Sequence, residues 1–496
     1  MIRKIRRIPD LHRKRRKTMK VLFTAGEAYP FIMSGGLGEV AGALPKALSR
    51  LEGEDNDVRV IIPLYSKIAQ SYRDEMIFMG SFTVKLAWRN QYCGLFYYQL
   101  GKVKFYFLDN EYYFKRDSQY GEFDDGERFA FFSKAVLDAC TFLGFYPDII
   151  HANDWHTALV PVYLSTYYKK LPGFADTKAL FTIHNIQYQG RYDMGLLEDV
   201  FDLGPEHWQI VEYDGCINLM KGAITAADFV GTVSPSYAEE IMDPYYAHDL
   251  DPILRLNKDK VCGILNGIDV EDYDPETDPA LSENFSADSA FGKTMCKGEL
   301  QRTFGLSENP DIPVIAMVTR LVGHKGLDLL NYIIDDLGQR DMQLVVLGTG
   351  DSFYEKSMVS FSEKYPDKIS AKIIFDKNLS RKIYAGADIF LMPSKSEPCG
   401  LAQMVALRYG TVPVVRQTGG LRDSIPDYGD GGTGFTFRTY NAHDMLGAID
   451  RALGLYEEPK LWSELCVRAM RQDMSWNTSA VEYMKLYKKI CGKAED

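Results

Sequence analysis

The sequence predicts an α/β protein made of two doubly wound, parallel-sheet domains that face each other across a cleft. Three observations carry that expectation. Short apolar runs, such as residues 21–24, 149–150 and 388–392, have the length and composition of buried parallel strands. Each run ends in a polar or glycine-rich turn, after which apolar residues return at helical spacing. A polar, turn-rich stretch at 271–311 separates two sets of such units, in a chain of 496 residues that is long enough for two or three domains. In open sheets of this kind, ligands bind beyond the carboxyl ends of the strands, where helix N-termini favour anions.

Composition narrows the class. Hydrophobic residues make up 46% of the chain and charged residues 25%, as in ordinary globular proteins. No run approaches the ~20 apolar residues that span a bilayer, so no membrane partner is expected. The eight cysteines are scattered without a CxxC pair or zinc spacing and read as reduced core thiols of a cytoplasmic protein. Residues 1–19 carry nine Lys/Arg and one Asp, whereas the whole chain is at −11, which leaves the remainder near −19. That acidic body argues against a nucleic-acid surface. The basic head lacks an apolar core and is no secretory signal. Residues 1–18 are expected to be a disordered extension ahead of a natural start at Met19.

In the amino half, residues 21–24 form the first expected strand. Gly35 and Gly36 then let backbone approach a ligand closely, and a helix from about Leu37 offers free N–H groups. Alone this signal is weak, because glycine turns are common. Residues 58–63 form a second strand. Residues 81–108 alternate apolar and polar, with Gly94 and Gly101 as turns, and suggest a β-meander inserted in this domain. Residues 127–143 read as an amphipathic helix. The strand at 147–150 ends in His151-Ala152-Asn153-Asp154-Trp155-His156. Its two histidines are five apart, the wrong spacing for metal ligands on one helix face. The bland reading is a strand end capped by Asn153 and Asp154. Residues 180–183 repeat the pattern and end in His184-Asn185. Residues 229–234 are the next strand and 263–269 the last of this half, with the turn Asn266-Gly267 placing Asn266 at the cleft. Asp272-Tyr273-Asp274 matches a metal-binding Asp-x-Asp. Asp55-Asn56-Asp57 and Asp249-Leu250-Asp251 match equally well, so no metal site is inferred.

In the carboxyl half a strand begins at 312–318. Arg320 and Lys325, five apart before a helix, suit a diphosphate, with solvated surface charge as the competing reading. Arginine can hold phosphate oxygens in a fork, and lysine acts as a point charge. Gly348-Thr349-Gly350 starts like a dinucleotide fingerprint, but Phe353 stands where the third glycine belongs, which weakens a hydride-transfer reading. Residues 372–375 are a further strand. After the run at 388–392, Pro398 suits the first turn of a helix. Leu401, Met404, Val405 and Leu407 follow at helical spacing, and Gly410 closes the helix. Residues 412–415 are a strand, and Thr418-Gly419-Gly420-Leu421 opens another helix. The amides at Gly400-Leu401 and Thr418-Gly419-Gly420 are thus candidate phosphate donors. Glu397 sits beside them, and it either serves a helix dipole or has chemical work to do. Amphipathic helices follow, and Trp476 starts the final segment.

The run Ser396-Glu397-Pro398-Cys399-Gly400-Leu401-Ala402-Gln403-Met404, followed by Val415-Arg416-Gln417-Thr418-Gly419-Gly420-Leu421, resembles the carboxyl-half signature of bacterial glycogen synthases and plant starch synthases. These are retaining glucosyltransferases of glycosyltransferase family 5, with the two-Rossmann-domain GT-B architecture. The resemblance runs from about Lys20 to the last helix, with several motifs in the same order. It implies Rossmann-like domains over 19–270 and 271–474, and a terminal helix in 475–496 that crosses back to the first.

The resemblance also implies roles. Glu397 would hold sugar hydroxyls and favour an oxocarbenium-like transition state. Arg320, Lys325 and helix amides would stabilise the departing diphosphate, so neither metal nor cofactor is expected. His184 would lie near the anomeric carbon, and Phe375 would stack on adenine. Met33, Ser34, Gly35 and Gly36 match the loop that meets the diphosphate, together with Gly400, Leu401, Thr418, Gly419 and Gly420. Met33-Ser34 replaces the usual Lys-Thr there, and Glu39 stands where Asp is usual, which predicts weaker donor binding. Asp154, His156, Asn185 and Asn266 fall on the sugar or acceptor side, and Asn153 departs from the usual His-Asp-Trp-His. The expected reaction moves glucose from ADP-glucose to the nonreducing end of an α-1,4-glucan such as glycogen. UDP-glucose or another acceptor on the same fold is an alternative, and so is a degenerate glucan-binding protein. Donor competition and turnover assays separate them.

Overall fold

A computed structural model describes residues 18–51, 56–289 and 291–493. The basic head up to residue 17 and Asp55 lie outside the described residues. The first sheet has nine strands in the order β12-β11-β7-β6-β1-β2-β5-β4-β3. They are β1 (Lys20–Thr24), β2 (Asp57–Pro63), β3 (Ile77–Leu86), β4 (Arg89–Leu100), β5 (Val103–Asp109), β6 (Ile149–Asn153), β7 (Lys178–Ile183), β11 (Phe229–Thr232) and β12 (Val261–Gly263). Between β7 and β11, β8 (Arg191–Tyr192), β9 (Glu212–Tyr213) and β10 (Cys216–Asn218) form a small separate sheet. The second sheet has six strands, all parallel, in the order β15-β14-β13-β16-β17-β18. Its members are β13 (Val314–Val318), β14 (Gln343–Leu347), β15 (Ile369–Lys372), β16 (Ile389–Met392), β17 (Val412–Arg416) and β18 (Phe435–Phe437). Both sheets are doubly wound, and the central strands read as unbroken apolar runs because helices cover both faces. Every residue of β14 and β17 is buried.

The helices that frame the site are α1 (Gly36–Arg50), α2 (Asp125–Phe142), α3 (Pro235–Glu240), α4 (Phe291–Thr303), α5 (Leu327–Gly338), α6 (Lys377–Gly386), α7 (Ala402–Arg408), α8 (Gly419–Ser424) and α9 (Trp476–Ile490). After β12 the chain passes to α4, which packs on α6 of the second half. It returns through α9, which packs on α1, and Tyr487 on α9 bonds His151 Nδ1 at 2.8 Å. All eight cysteines are free. Among the described residues no helix is long and apolar enough to cross a membrane.

Four expectations need correction. The β-meander extends the sheet edge, with β5 pairing parallel to β2, and Gly94 lies inside β4. The first turn falls instead at Ala87-Trp88, where Ala87 takes φ 53°. The last strand of the amino half stops at Gly263, because the segment after it leaves the sheet for the other crossing of the chain. Ile268 N–H donates to Met474 O at 2.8 Å, and a Cβ on Gly267 would meet Trp476 N at 2.5 Å. The strand expected at 372–375 ends at Lys372, where its pairing with Leu347 ends, and leaves Phe375 86% exposed. Finally, Pro398 precedes α7 rather than opening it. Gly400 at φ 70° turns the chain first, and the helix begins at Ala402.

Candidate active site

The loops after β16 and β13 meet around Glu397. This carboxylate is 7% exposed and accepts from Lys325 Nζ at 2.6 Å and from the buried Ser394 hydroxyl at 2.9 Å. Gly326 makes the approach feasible. It takes φ 81°, and a Cβ there would come within 2.3 Å of Pro393 O. Lys395 N–H donates to His324 O at 2.8 Å and ties the same loops. A buried carboxylate beside amide donors is thus neutralised by its own cation, a pairing that sequence spacing does not reveal. Lys325 therefore serves Glu397 in this state. Arg320 is exposed, and among the described residues it forms no ion pair, so it remains available to an anion.

The glycines of the 418–420 turn serve close packing. A Cβ on Gly419 would lie 2.1 Å from Glu397 O, and one on Gly420 would lie 2.3 Å from Cys399 O. Gly420 N–H donates to Glu397 O and Pro398 O, both at 3.1 Å. Thr418 Oγ1 and Gly419 N–H donate to Glu240 Oε1 at 2.9 and 2.8 Å. The expected phosphate donors at Thr418, Gly419 and Gly420 already have protein partners here, one of them a carboxylate from the opposite half. Glu240 was not anticipated, because nothing local to its helix signals the contact.

The glycine loop of the first half behaves similarly. Glu27, buried at the end of β1, accepts from Ser34 N–H and Oγ–H, both at 2.6 Å, and from Gly38 N–H at 3.0 Å. Burial raises its pKa against those bonds. Gly35 and Gly36 are exposed, and a Cβ on Gly36 would lie 4.0 Å from Leu401 Cδ1. The 33–36 loop and the 400–401 turn therefore face each other across the cleft. Met33 folds back on Gly38, whose added Cβ would meet Met33 Cγ at 2.7 Å. Phe375 presents a nearly bare ring, which suits a stacking platform better than a core position.

Three strand ends of the first half supply the remaining groups. Asn153 Nδ2 donates to Thr24 O and His151 O at 3.0 and 3.1 Å, which leaves Asn153 Oδ1 as an acceptor. His184 Nε2 lies 2.9 Å from that oxygen, so Nε2 carries the proton and Nδ1 is left to accept. Burial pushes the His184 pKa down to about 3, so the ring is neutral at neutral pH. Asn153, which the sequence presents as a strand-end cap and as a departure from a pattern, thus fixes the tautomer of His184. Asp154 adopts φ 56° and accepts from the N–H groups of His184 and Asn185 at 2.7 and 3.3 Å. Burial raises its pKa to about 7. Asn185 Oδ1 closes a local turn by accepting from Gln187 N–H at 3.0 Å. His156 sits apart from this group. Its ring is buried among Tyr120, Trp155 and Phe129, with centroids 4.2, 4.3 and 4.9 Å away, and its pKa falls to about 3. Asn266 is 5% exposed, and its Oδ1 has no partner among the described residues.

The Asp-x-Asp at 272–274 is structural. Asp272 pairs with Lys377 and Arg381 at 3.3 and 2.8 Å, and Asp274 pairs with Arg408 at 2.8 Å.

Comparison with known proteins bears on the family and the fold. Residues 20–256 match the starch synthase catalytic domain, and residues 302–465 match glycosyl transferases group 1. A glycogen synthase from Geobacillus thermodenitrificans is 48% identical over 482 residues, covering 96% of this chain and 99% of that protein. One from Bacillus anthracis is 46% identical over 477 residues, covering 95% and 100%. The catalytic domain of starch synthase IV from Arabidopsis thaliana, solved bound to ADP and acarbose, superposes with a TM-score of 0.88 at 32% identity, over 96% of this chain and 100% of that one. A sucrose-phosphate synthase from Thermosynechococcus elongatus shares the fold, with a TM-score of 0.61 at 15% identity over 96% of this chain and 100% of that one. Two facing Rossmann-like sheets, a neutralised carboxylate at the cleft and near full-length identity to glycogen synthases lead to one conclusion: the chain belongs to the glycogen and starch synthase family of GT-B glucosyltransferases.

Proposed function

We propose that the chain transfers glucose from ADP-glucose to the 4-hydroxyl at the nonreducing end of an α-1,4-glucan, with retention of configuration, as a step of glycogen synthesis. The observation that carries this reading is the buried Glu397–Lys325 pair, held at 2.6 Å where the strand ends of the second sheet meet the first-half loop at Gly36. Glu397 takes sugar hydroxyls, and its charge favours positive character at the anomeric carbon. Arg320, which forms no ion pair among the described residues, meets the diphosphate and stabilises it as it departs. Lys325 shifts part of its charge from Glu397 to that leaving group. Neutral His184 accepts a hydrogen bond from a sugar hydroxyl through Nδ1, in an orientation set by Asn153. The leaving phosphate takes the proton of the acceptor hydroxyl. Phe375 stacks on the base. Asp154 and Asn185 shape the sugar side, and Asn266 offers its unpaired carbonyl there. Closure of the two halves excludes water and limits donor hydrolysis.

The test is the initial rate of glucose transfer to glycogen with ADP-glucose and UDP-glucose side by side. Faster transfer from ADP-glucose supports the reading. Transfer only from UDP-glucose would reassign the donor. Absence of transfer from either donor, with glycogen still bound, would make the chain a glucan-binding protein.

A further inference from the structure

Arg416, the last residue of β17, carries a buried charge that no carboxylate contacts. It is 8% exposed, and among the described residues it forms no ion pair. A cation taken out of water without a counterion is unfavourable unless its N–H groups find acceptors. Here the acceptors are main-chain oxygens of the turn that leads to Glu397. Nη1 donates to Lys395 O at 2.6 Å and makes a longer contact with Ser394 O at 3.5 Å. Nη2 donates to the hydroxyl of Tyr246, a side chain of the first half, at 3.3 Å. The Tyr440 ring flanks the guanidinium, with its centroid 5.7 Å from Cζ. Two buried atoms nearby stay without a hydrogen-bond partner among the described residues, Arg416 Nε and Glu240 Oε2. Burial raises the pKa of the Glu240 carboxyl, and the charge of Arg416 works against that rise. The first half therefore senses this cation through one hydroxyl and one carboxylate.

Register explains the reach of the side chain. β16 and β17 pair in parallel as far as Met392 and Val415. One position on, β16 becomes the turn and β17 ends in Arg416. The turn is held from three directions. The Ser394 hydroxyl donates to Glu397 at 2.9 Å, Lys395 N–H donates to His324 O at 2.8 Å, and Lys395 O accepts from Arg416. A planar guanidinium can hold a carbonyl on one side and a hydroxyl on the other in fixed geometry, which the point charge of a lysine cannot do.

We propose that Arg416 is a positioning residue of the transfer reaction, fixing the 393–397 turn and with it Glu397 while Tyr246 of the first half orients the guanidinium. Closure of the halves then sets the geometry of the reacting site as well as excluding water. The proposal rests on the transfer reading above. When the halves part, Nη2 loses the Tyr246 hydroxyl and the turn loses a fixed support. A displacement of about 1 Å at a reacting group can cost about a hundredfold in rate. Donor binding by Arg320 does not depend on the final placement of this turn, so the effect falls on kcat rather than on KM.

Initial rates with ADP-glucose and glycogen test this, for wild type beside Arg416→Lys, Arg416→Ala and Tyr246→Phe. Hydrogen exchange of the amides in 394–397 is followed on the same samples by mass spectrometry. Arg416→Lys should lower kcat by about tenfold or more, and Tyr246→Phe by about threefold, each with donor KM within about threefold of wild type. Millimolar guanidinium should restore part of the activity of Arg416→Ala, and an equal concentration of sodium chloride should not. Exchange over 394–397 should quicken in Tyr246→Phe, although the substitution lies in the other half. An unchanged kcat in Arg416→Lys would overturn the proposal, as would unchanged exchange in Tyr246→Phe. A folded Arg416→Ala that guanidinium does not restore would also overturn it. Absence of transfer by the wild type would sink the proposed function instead, and the exchange measurement would still decide whether Tyr246 and Arg416 hold the turn.

Discussion

Removing both members of the Glu397–Lys325 pair should cost less than the sum of removing each alone. The two groups are 2.6 Å apart, with side chains only 9% and 17% exposed. At an effective dielectric near 20, two unit charges at that separation attract by about 6 kcal/mol before desolvation is counted. Desolvation offsets much of this, so the pair's net contribution is small, but one buried charge without the other costs about 3–5 kcal/mol. Glu397→Gln and Lys325→Met should each lower the unfolding free energy by that order. The double variant should fall short of the sum by about 2 kcal/mol or more. Urea unfolding followed by far-UV circular dichroism measures the cycle. Initial rates on the same samples, below the unfolding transition, measure transfer, which Glu397→Gln should reduce by about a hundredfold or more. Additivity within about 0.5 kcal/mol would show that Lys325 is not the counterion of Glu397. A folded Glu397→Gln enzyme with unchanged kcat would refute its role at the reacting sugar.

Three further outcomes follow from named groups. Met33→Lys places a cation in the loop that faces Leu401. A charge-assisted contact to phosphate contributes about 1.5–3 kcal/mol, so the donor KM should fall by roughly ten- to a hundredfold with kcat little changed, and an unchanged KM would show that the loop does not meet the diphosphate. Asp154 holds its proton up to about pH 7 in the folded chain, whereas the unfolded side chain loses it near the ordinary carboxyl value of 3.8. Unfolding therefore releases a proton across that window, and stability falls as pH rises through it. Asp154→Asn should flatten that slope in thermal melts between pH 4 and 7, and an unaltered slope would assign it elsewhere. Asp427 behaves oppositely. Hydrogen bonds from Arg451, Gly429 and Thr436 outweigh burial and hold its pKa at about 2, so its contribution is complete above 3.8 and disappears as pH falls through about 2. Asp427→Asn should cost about 1–2 kcal/mol at neutral pH, and this deficit should close in acid.

The sheets were legible because their strands are short apolar runs followed by helices, and burial on both faces leaves that mark in any sequence. Boundaries failed where apolar residues continue past the pairing. Ile373, Ile374 and Phe375 look like strand, yet the pairing with β14 stops at Lys372, and Phe375 is turned out into solvent. Pro398 has the chemistry of a helix start, but the turn at Gly400 intervenes. Within the site, residue types were readable and pairings were not. Arg320 and Lys325 look alike in sequence, while in the fold one is free and the other is bound to a carboxylate 72 positions away. Glu27 and Glu240 escaped notice, and Asn153 was read only as a strand-end cap and a departure from the family pattern, because each acts through a tertiary contact.

The helix α3 gives the cleft a latch whose strength can be gauged. Ser234 Oγ donates to Pro398 O at 2.7 Å, Ser236 donates twice to Asp423 at 2.6 and 2.8 Å, and Glu240 accepts from Thr418 and Gly419. When the halves part, water replaces these partners, and each bond is worth only about 0.5–1.5 kcal/mol net. Opening therefore costs about a few kcal/mol, which leaves the open form a minority of roughly 0.1–10%. A glucan end too bulky for the closed cleft meets only that fraction. Its apparent affinity is divided accordingly, and weakening the latch tightens acceptor binding without touching a single acceptor contact.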